Sequence, residues 1–192
     1  MGNELALIKE FQLYLADYYV GDDGYSEVEE IDEYLTPIYA VKPILKYIPT
    51  KSKVWCPFDT ENSLIVKELN NHGCIVTQTH IEMGNDFFET EPKEGFIISN
   101  PPYSKKGEVF ERLFSFDNPF AMLVGVVGIF ESKRRFNIFK SNDFEIMYLS
   151  SRVSYYRNYS DLKTVAHPPF SSVWITRNVL PNRIVFEEIN RR

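Results

Sequence analysis

Cysteine and histidine are scarce in this chain, with two and three copies in 192 residues. Cys56 and Cys74 fall on separate predicted strands without metal-ligand spacing. That spacing argues against a structural zinc site and a disulfide framework, and makes a reducing cytoplasm the expected compartment. No apolar run reaches the roughly 18 residues of a membrane-spanning helix. The N-terminus lacks the basic-then-apolar order of a secretory signal, so no membrane partner is expected. Met1-Gly2 opens like a myristoylation signal, but Ala6 stands where that signal needs Ser or Thr. Internal repeats and low-complexity tracts are missing too, which leaves an ordinary globular domain as the expectation.

Net positive charge is also lacking, since 21 Lys and Arg face 27 Asp and Glu. The deficit is uneven. Residues 1 to 100 carry 7 basic against 18 acidic side chains, a balance of -11; residues 101 to 192 carry 14 against 9, a balance of +5. A polyanionic partner is therefore plausible for the second half alone. What is abundant is apolar and aromatic character, at 44% and 15% of residues, enough to build a core.

The chain length suits one domain with a short N-terminal extension, placed at 1–35, ahead of a main domain at 36–192. Residues 4 to 20 have helical apolar spacing, and Ser26 with Glu29 can cap a short helix through Tyr34. Thr36-Pro37 opens a helix toward Ile48 with Pro43 inside it. A strand over 52–58, a helix over 59–71 and a strand over 73–79 begin a βαβ pattern. The fifteen or so residues before Phe96 are too few for another helix and strand. Further on, strands are expected at 96–99, 120–127 and 144–149, with helices at 107–116 and 131–140. A long irregular segment spans about 150–170. Antiparallel closing strands are expected at 172–176 and 183–186. The fold expected is α/β, a three-layer sandwich whose mostly parallel sheet has an antiparallel edge.

The most specific stretch is Phe96-Ile97-Ile98-Ser99-Asn100-Pro101-Pro102-Tyr103. A run of β-formers stops at an amide, and two prolines, which cannot continue a ladder, end the strand. Asn100 and Tyr103 thus lie at a strand's carboxyl edge, where open α/β sheets bind ligands. By composition the tetrapeptide should arise by chance in about one chain per thousand of this size.

Asn100-Pro101-Pro102-Tyr103 after a strand resembles the NPPY motif of S-adenosylmethionine-dependent adenine-N6 methyltransferases. The resemblance implies a Rossmann-like methyltransferase sandwich acting on DNA. The Asn100 side-chain oxygen and the Pro101 carbonyl would accept from the adenine amine and hold its nitrogen toward the methyl group. Pro102 would stiffen the loop and Tyr103 would stack on a flipped-out base. Thr36-Pro37 resembles the segment that these enzymes fold against the methionine end of the cofactor. Cys56-Pro57-Phe58-Asp59 lies at the family's first cofactor loop. Cys56 replaces an acid there and Thr60-Glu61-Asn62-Ser63 replaces its glycines, so Asp59 or Glu61 is left to meet the ammonium. His80-Ile81 stands where the family has Asp-Ile, with His80 or Glu82 to bind the ribose. Gly84-Asn85-Asp86-Phe87 is similar to the segment whose aspartate and aromatic ring hold the cofactor adenine; from the residues alone it is a turn followed by core phenylalanines.

For nucleic acid, Lys105 and Lys106 follow the motif directly. Arg152, Tyr155, Tyr156 and Arg157 interleave basic and aromatic side chains suited to phosphate contact and base stacking. Lys133-Arg134-Arg135 adds positive charge, and His167-Pro168-Pro169-Phe170 is a candidate rigid lip. The alternatives left open are an RNA adenine or protein glutamine methyltransferase, and a nucleic-acid-binding protein of this fold that has lost catalysis.

Overall fold

A computed structural model describes residues 35–156 and 170–190. The chain divides into two compact units, Met1–Asp32 and Glu33–Arg192, and everything described belongs to the second. The expected helices at 4–20 and 26–34, Arg157, and His167 to Pro169 lie outside the described residues.

Among the described residues there are seven strands and four helices. Helix α1 (Ile38–Leu45) precedes strand β1 (Lys53–Cys56), helix α2 (Leu64–Asn71) and strand β2 (Ile75–Gln78). After a short 3-10 turn (Ile81–Met83) come β3 (Phe96–Ser99), a second 3-10 turn (Tyr103–Lys105) and helix α3 (Lys106–Ser115). Strand β4 (Phe120–Gly125), helix α4 (Lys133–Lys140) and strands β5 (Glu145–Leu149), β6 (Ser172–Arg177) and β7 (Ile184–Glu187) complete it. They form a single sheet in the order β2-β1-β3-β4-β6-β5-β7. The neighbours β2, β1, β3 and β4 are parallel, β6 runs antiparallel to both β4 and β5, and β7 is parallel to β5.

Two expectations are corrected. The antiparallel strand is inside the sheet rather than at its edge, and β7, expected to be antiparallel, runs parallel to β5. A return strand wedged between two parallel ones has every backbone group paired, so Ser172–Thr176 can be fully buried. The first helices are shorter than expected at their starts. Pro37 is the N-cap of α1 in extended geometry, and α2 begins only after Ser63, whose Oγ accepts the Ile65 N–H at 3.2 Å. Residues 59 to 63 are therefore free to be a loop.

Alternating strand side chains feed two separate cores, the sheet being the partition. Val54, Cys56, Ile98, Ala121, Leu123 and Trp174 face α1 and α2. Trp55, Ile97, Phe120, Met122, Val124 and Ile175 face α3 and α4. Helices thus cover both faces, which gives three layers. Gly95 sets the entry to β3: its φ is +100°, and a Cβ there would sit 2.1 Å from the Lys53 carbonyl oxygen. No other residue fits so close to the neighbouring strand.

No helix among the described residues is long and apolar enough to cross a membrane, and no cluster of three potential metal ligands occurs among them.

Candidate active site

Strand order decides where a ligand crevice opens. From β1 the chain passes to β2 on one side, and β3 then lies on the other side of β1. The loops leaving β1 and β3 therefore diverge at their carboxyl ends, which is the switch point where open α/β sheets take their ligands. Cys56 to Ser63 leave β1 and Asn100 to Tyr103 leave β3, so the two stretches singled out in the sequence share one crevice rim.

Asp59 joins them. It is 7% exposed, and its Oδ1 accepts from Ser63 Oγ at 2.5 Å while Oδ2 accepts from Ser99 Oγ. Its backbone N–H donates to the Thr79 carbonyl, and the Thr79 N–H donates to the Cys56 carbonyl, extending the β1–β2 ladder one step beyond the strands. Ser99 immediately precedes Asn100, so the carboxylate fixes the base of the NPPY loop. Neither serine was singled out in the sequence, where small hydroxyl residues carry no distinguishing signal.

Asn100 is half-buried, and its Nδ2 donates to Thr36 Oγ1 at 3.2 Å. Thr36 is 1% exposed and is held from behind. Leu35 and Tyr156 form an antiparallel bridge with N–H to carbonyl bonds of 3.2 and 2.9 Å. The Tyr39 hydroxyl donates to the Ser154 carbonyl at 3.1 Å and accepts the Ser154 N–H at 2.7 Å. The segment before α1 is thereby zipped to residues 154–156 and brought against Asn100. With Nδ2 donating to Thr36, Oδ1 is the amide atom that can accept a hydrogen bond from a bound group.

Tyr103 closes the rim. Lys106 Nζ lies over its ring, 4.3 Å from the centroid, and the Phe170 ring packs against it at 5.4 Å. Its hydroxyl donates to Tyr155 Oη at 3.5 Å, which in turn lies 2.7 Å from Ser172 Oγ. Phe170 is seated on Gly125, where an added Cβ would lie 2.8 Å from the ring.

Other expected site residues are placed differently. Cys56 is fully buried, and burial, with Asp59 adding to it, pushes its thiol well above the ordinary range. It is neither a nucleophile nor a direct contact for a bound molecule. Pro57 is buried as well, and Phe58 is half-buried against Phe87 at 4.7 Å. Phe87 is 3% exposed and also packs on Trp55, so it is a core residue rather than a flank for a cofactor ring. Asp86 is half-buried; Oδ1 accepts the Phe88 N–H at 2.8 Å, and Oδ2 makes no hydrogen bond among the described residues. His80, 5% exposed, caps the 3-10 turn by accepting the Glu82 N–H on Nδ1 at 3.2 Å. Ile81 and Met83 project outward, 60% and 53% exposed. The sequence missed Met83 because a lone exposed methionine has no pattern.

Compared with protein-family models and with curated proteins, the sequence matches none.

The basic-aromatic segment also divides. Tyr155 is fully buried beneath the site and Tyr156 is half-buried in its bridge to Leu35, so the expected stacking role does not suit Tyr155; Arg152 is exposed. A mixture of basic and aromatic residues fits a half-buried extended segment as well as a nucleic-acid contact. The positive charge beside the motif is real. Lys105 is exposed with Nζ 5.4 Å from the Phe88 centroid, and the Arg135 stem lies 3.6 Å from where a Cβ on Gly107 would stand. Arg134, by contrast, is ion-paired to both Glu108 and Glu111, at 2.8 and 2.5 Å.

Proposed function

We propose that this protein methylates the exocyclic N6 amine of adenine in DNA, using S-adenosylmethionine. The observation that carries the reading is the position of Asn100-Pro101-Pro102-Tyr103 at the switch point, with the Asn100 amide oriented by Thr36. An adenine amine is a weak nucleophile because its lone pair is delocalised into the ring. Two acceptors held at fixed positions, Asn100 Oδ1 and the Pro101 carbonyl, would take its two hydrogens and favour the pyramidal nitrogen that reacts. Fixed dipoles stabilise the positive charge that develops there without having to reorganise. The Pro101-Pro102 backbone holds that geometry before substrate arrives.

S-Adenosylmethionine, when bound, supplies an electrophilic methyl group on a positively charged sulfur. The residues present fit it in part. Asp86 keeps Oδ2 as an acceptor for an amine, and Ile81 and Met83 on the preceding 3-10 turn are exposed apolar side chains. Asp59 brings a carboxylate to the rim, though two serine hydroxyls already bond to it. Cys56 and Phe87 are buried in the cores and the His80 Nδ1 caps a turn, so support for a cofactor rests less on these three side chains than on Asp86 and Asp59. Support for a DNA substrate comes from the balance of +5 over residues 101 to 192 and from Lys105 and Lys106 next to the motif.

The test is transfer of labelled methyl from S-adenosylmethionine to mixed-sequence DNA, with the product digested to nucleosides. N6-methyl-2′-deoxyadenosine label is expected, and Asn100→Ala should lower the rate by at least about 10²-fold while leaving donor binding intact. Absence of donor binding by calorimetry at millimolar concentration would overturn the reading. Label found only in RNA would move the substrate class.

A further inference from the structure

The ring expected to stack on a base already has a cation on it. Lys106 Nζ sits 4.3 Å from the Tyr103 centroid, within the range of a cation–π contact and too close to leave room for a stacked base on that face. We propose that Lys106 is a specificity residue: it covers Tyr103 until a phosphate of a bound strand draws it away, so that the ring receives a base only from a polynucleotide. The inference rests on the adenine-methylation reading above.

Three observations support it. The first is reach: Lys106 begins α3 one turn beyond Tyr103, and its flexible four-carbon stem lets the ammonium leave the ring without moving the backbone. The second is a local field that attracts phosphate. Lys105, exposed, precedes Lys106 in the chain, the Arg135 stem lies against Gly107, which follows it, with Nε donating to the Gly128 carbonyl, and Arg134 is ion-paired to Glu108 and Glu111. The third is the rigidity of the ring. Phe170, seated on Gly125, and the Tyr155 hydroxyl hold Tyr103 in place, so uncovering it falls to the lysine. A cation on an exposed ring is worth a factor of about two to five in affinity, less than a stacked base contributes. The cover is therefore displaceable, yet measurable for a ligand that offers no phosphate in exchange.

The consequence is a sign difference between two ligands. With S-adenosylhomocysteine saturating, Lys106→Gln should bind adenosine about two- to five-fold more tightly than the wild type. The same variant should bind a DNA duplex more weakly, with the salt slope reduced by about one. Lys106→Arg should restore the wild-type order, and Tyr103→Ala with Lys106→Gln should lose the adenosine gain. Weaker binding of both ligands would mean a structural role, and weaker DNA binding with adenosine unchanged would mean a simple phosphate contact; either overturns the cover while leaving the methylation reading standing. If neither protein binds adenosine or DNA, both readings fall.

Discussion

Replacing Thr36 by valine removes one oxygen from the site and little else, and its consequence can be worked from the structure. The side chain is 1% exposed and its hydroxyl accepts the Asn100 amide N–H at 3.2 Å. Such a bond is worth a net 1 kcal/mol or so, which favours one of the two amide orientations about five to one. With valine the preference disappears and the productive orientation falls to about half, a loss of about two-fold in kcat from orientation alone. Should the Nδ2 donor instead be left without a partner, the full cost of up to about 3 kcal/mol applies and the loss approaches 10²-fold. The expected range is thus about 2 to 10²-fold in kcat, with the KM for the methyl donor unchanged. Thr36→Ser should recover most of the rate because it keeps the acceptor. Single-turnover methylation with denaturant unfolding in parallel separates rate from stability. An unchanged kcat in Thr36→Val, or a loss confined to donor affinity, would refute the positioning role.

Two further outcomes follow from features away from the amide. Gly125→Ala places a methyl group 2.8 Å from the Phe170 ring, so Phe170 must shift; a stability loss of about 1 to 3 kcal/mol by urea unfolding is expected, with a rise in the KM for DNA through Tyr103. Glu187 is held below the usual carboxylate range by its hydrogen bonds from Lys46 and then Tyr47, so it binds its proton more weakly folded than unfolded. Its contribution to stability is present above the unfolded carboxylate pKa of about 4.3 and is lost as pH falls through the lower folded value. Glu187→Gln should therefore be less stable near neutrality and show a shallower stability loss in acid, measured by denaturation across pH 2.5 to 7.

Much of the sheet was legible in the sequence because its signals are local. Apolar runs bounded by proline, glycine and asparagine marked β3 and β4 at their amino ends, and the short gap before Phe96 correctly left no room for a helix. The antiparallel direction of β6 was legible, but its place in the sheet and the direction of β7 were not. Nothing in residues 172 to 176 states that they insert between β4 and β5, since both faces of an internal strand are apolar whichever way it runs. At the rim of the proposed site, the strand-ending motif marked Asn100, while Thr36 and Asp59 were marked by the resemblance alone. The support of that rim was not legible. Ser99, Ser63 and the Tyr39–Ser154 pair are ordinary residues whose importance comes from partners far away in the chain. For His80 and Phe87, position along the chain suggested the cofactor edge, and packing places both side chains in the interior, 5% and 3% exposed.

The bridge between Leu35 and Tyr156 joins residues more than a hundred positions apart, and Thr36 depends on it. During synthesis the Asn100 loop therefore emerges well before the segment that pens Thr36 against it. A nascent chain ending near residue 150 would hold the motif and the first five strands but not the wall that orients the amide. Long-range closures of this kind form late, because chain entropy opposes them until both ends are present. The site is thus completed by the last third of the polypeptide, and a truncated product would carry the motif without the geometry that gives it meaning.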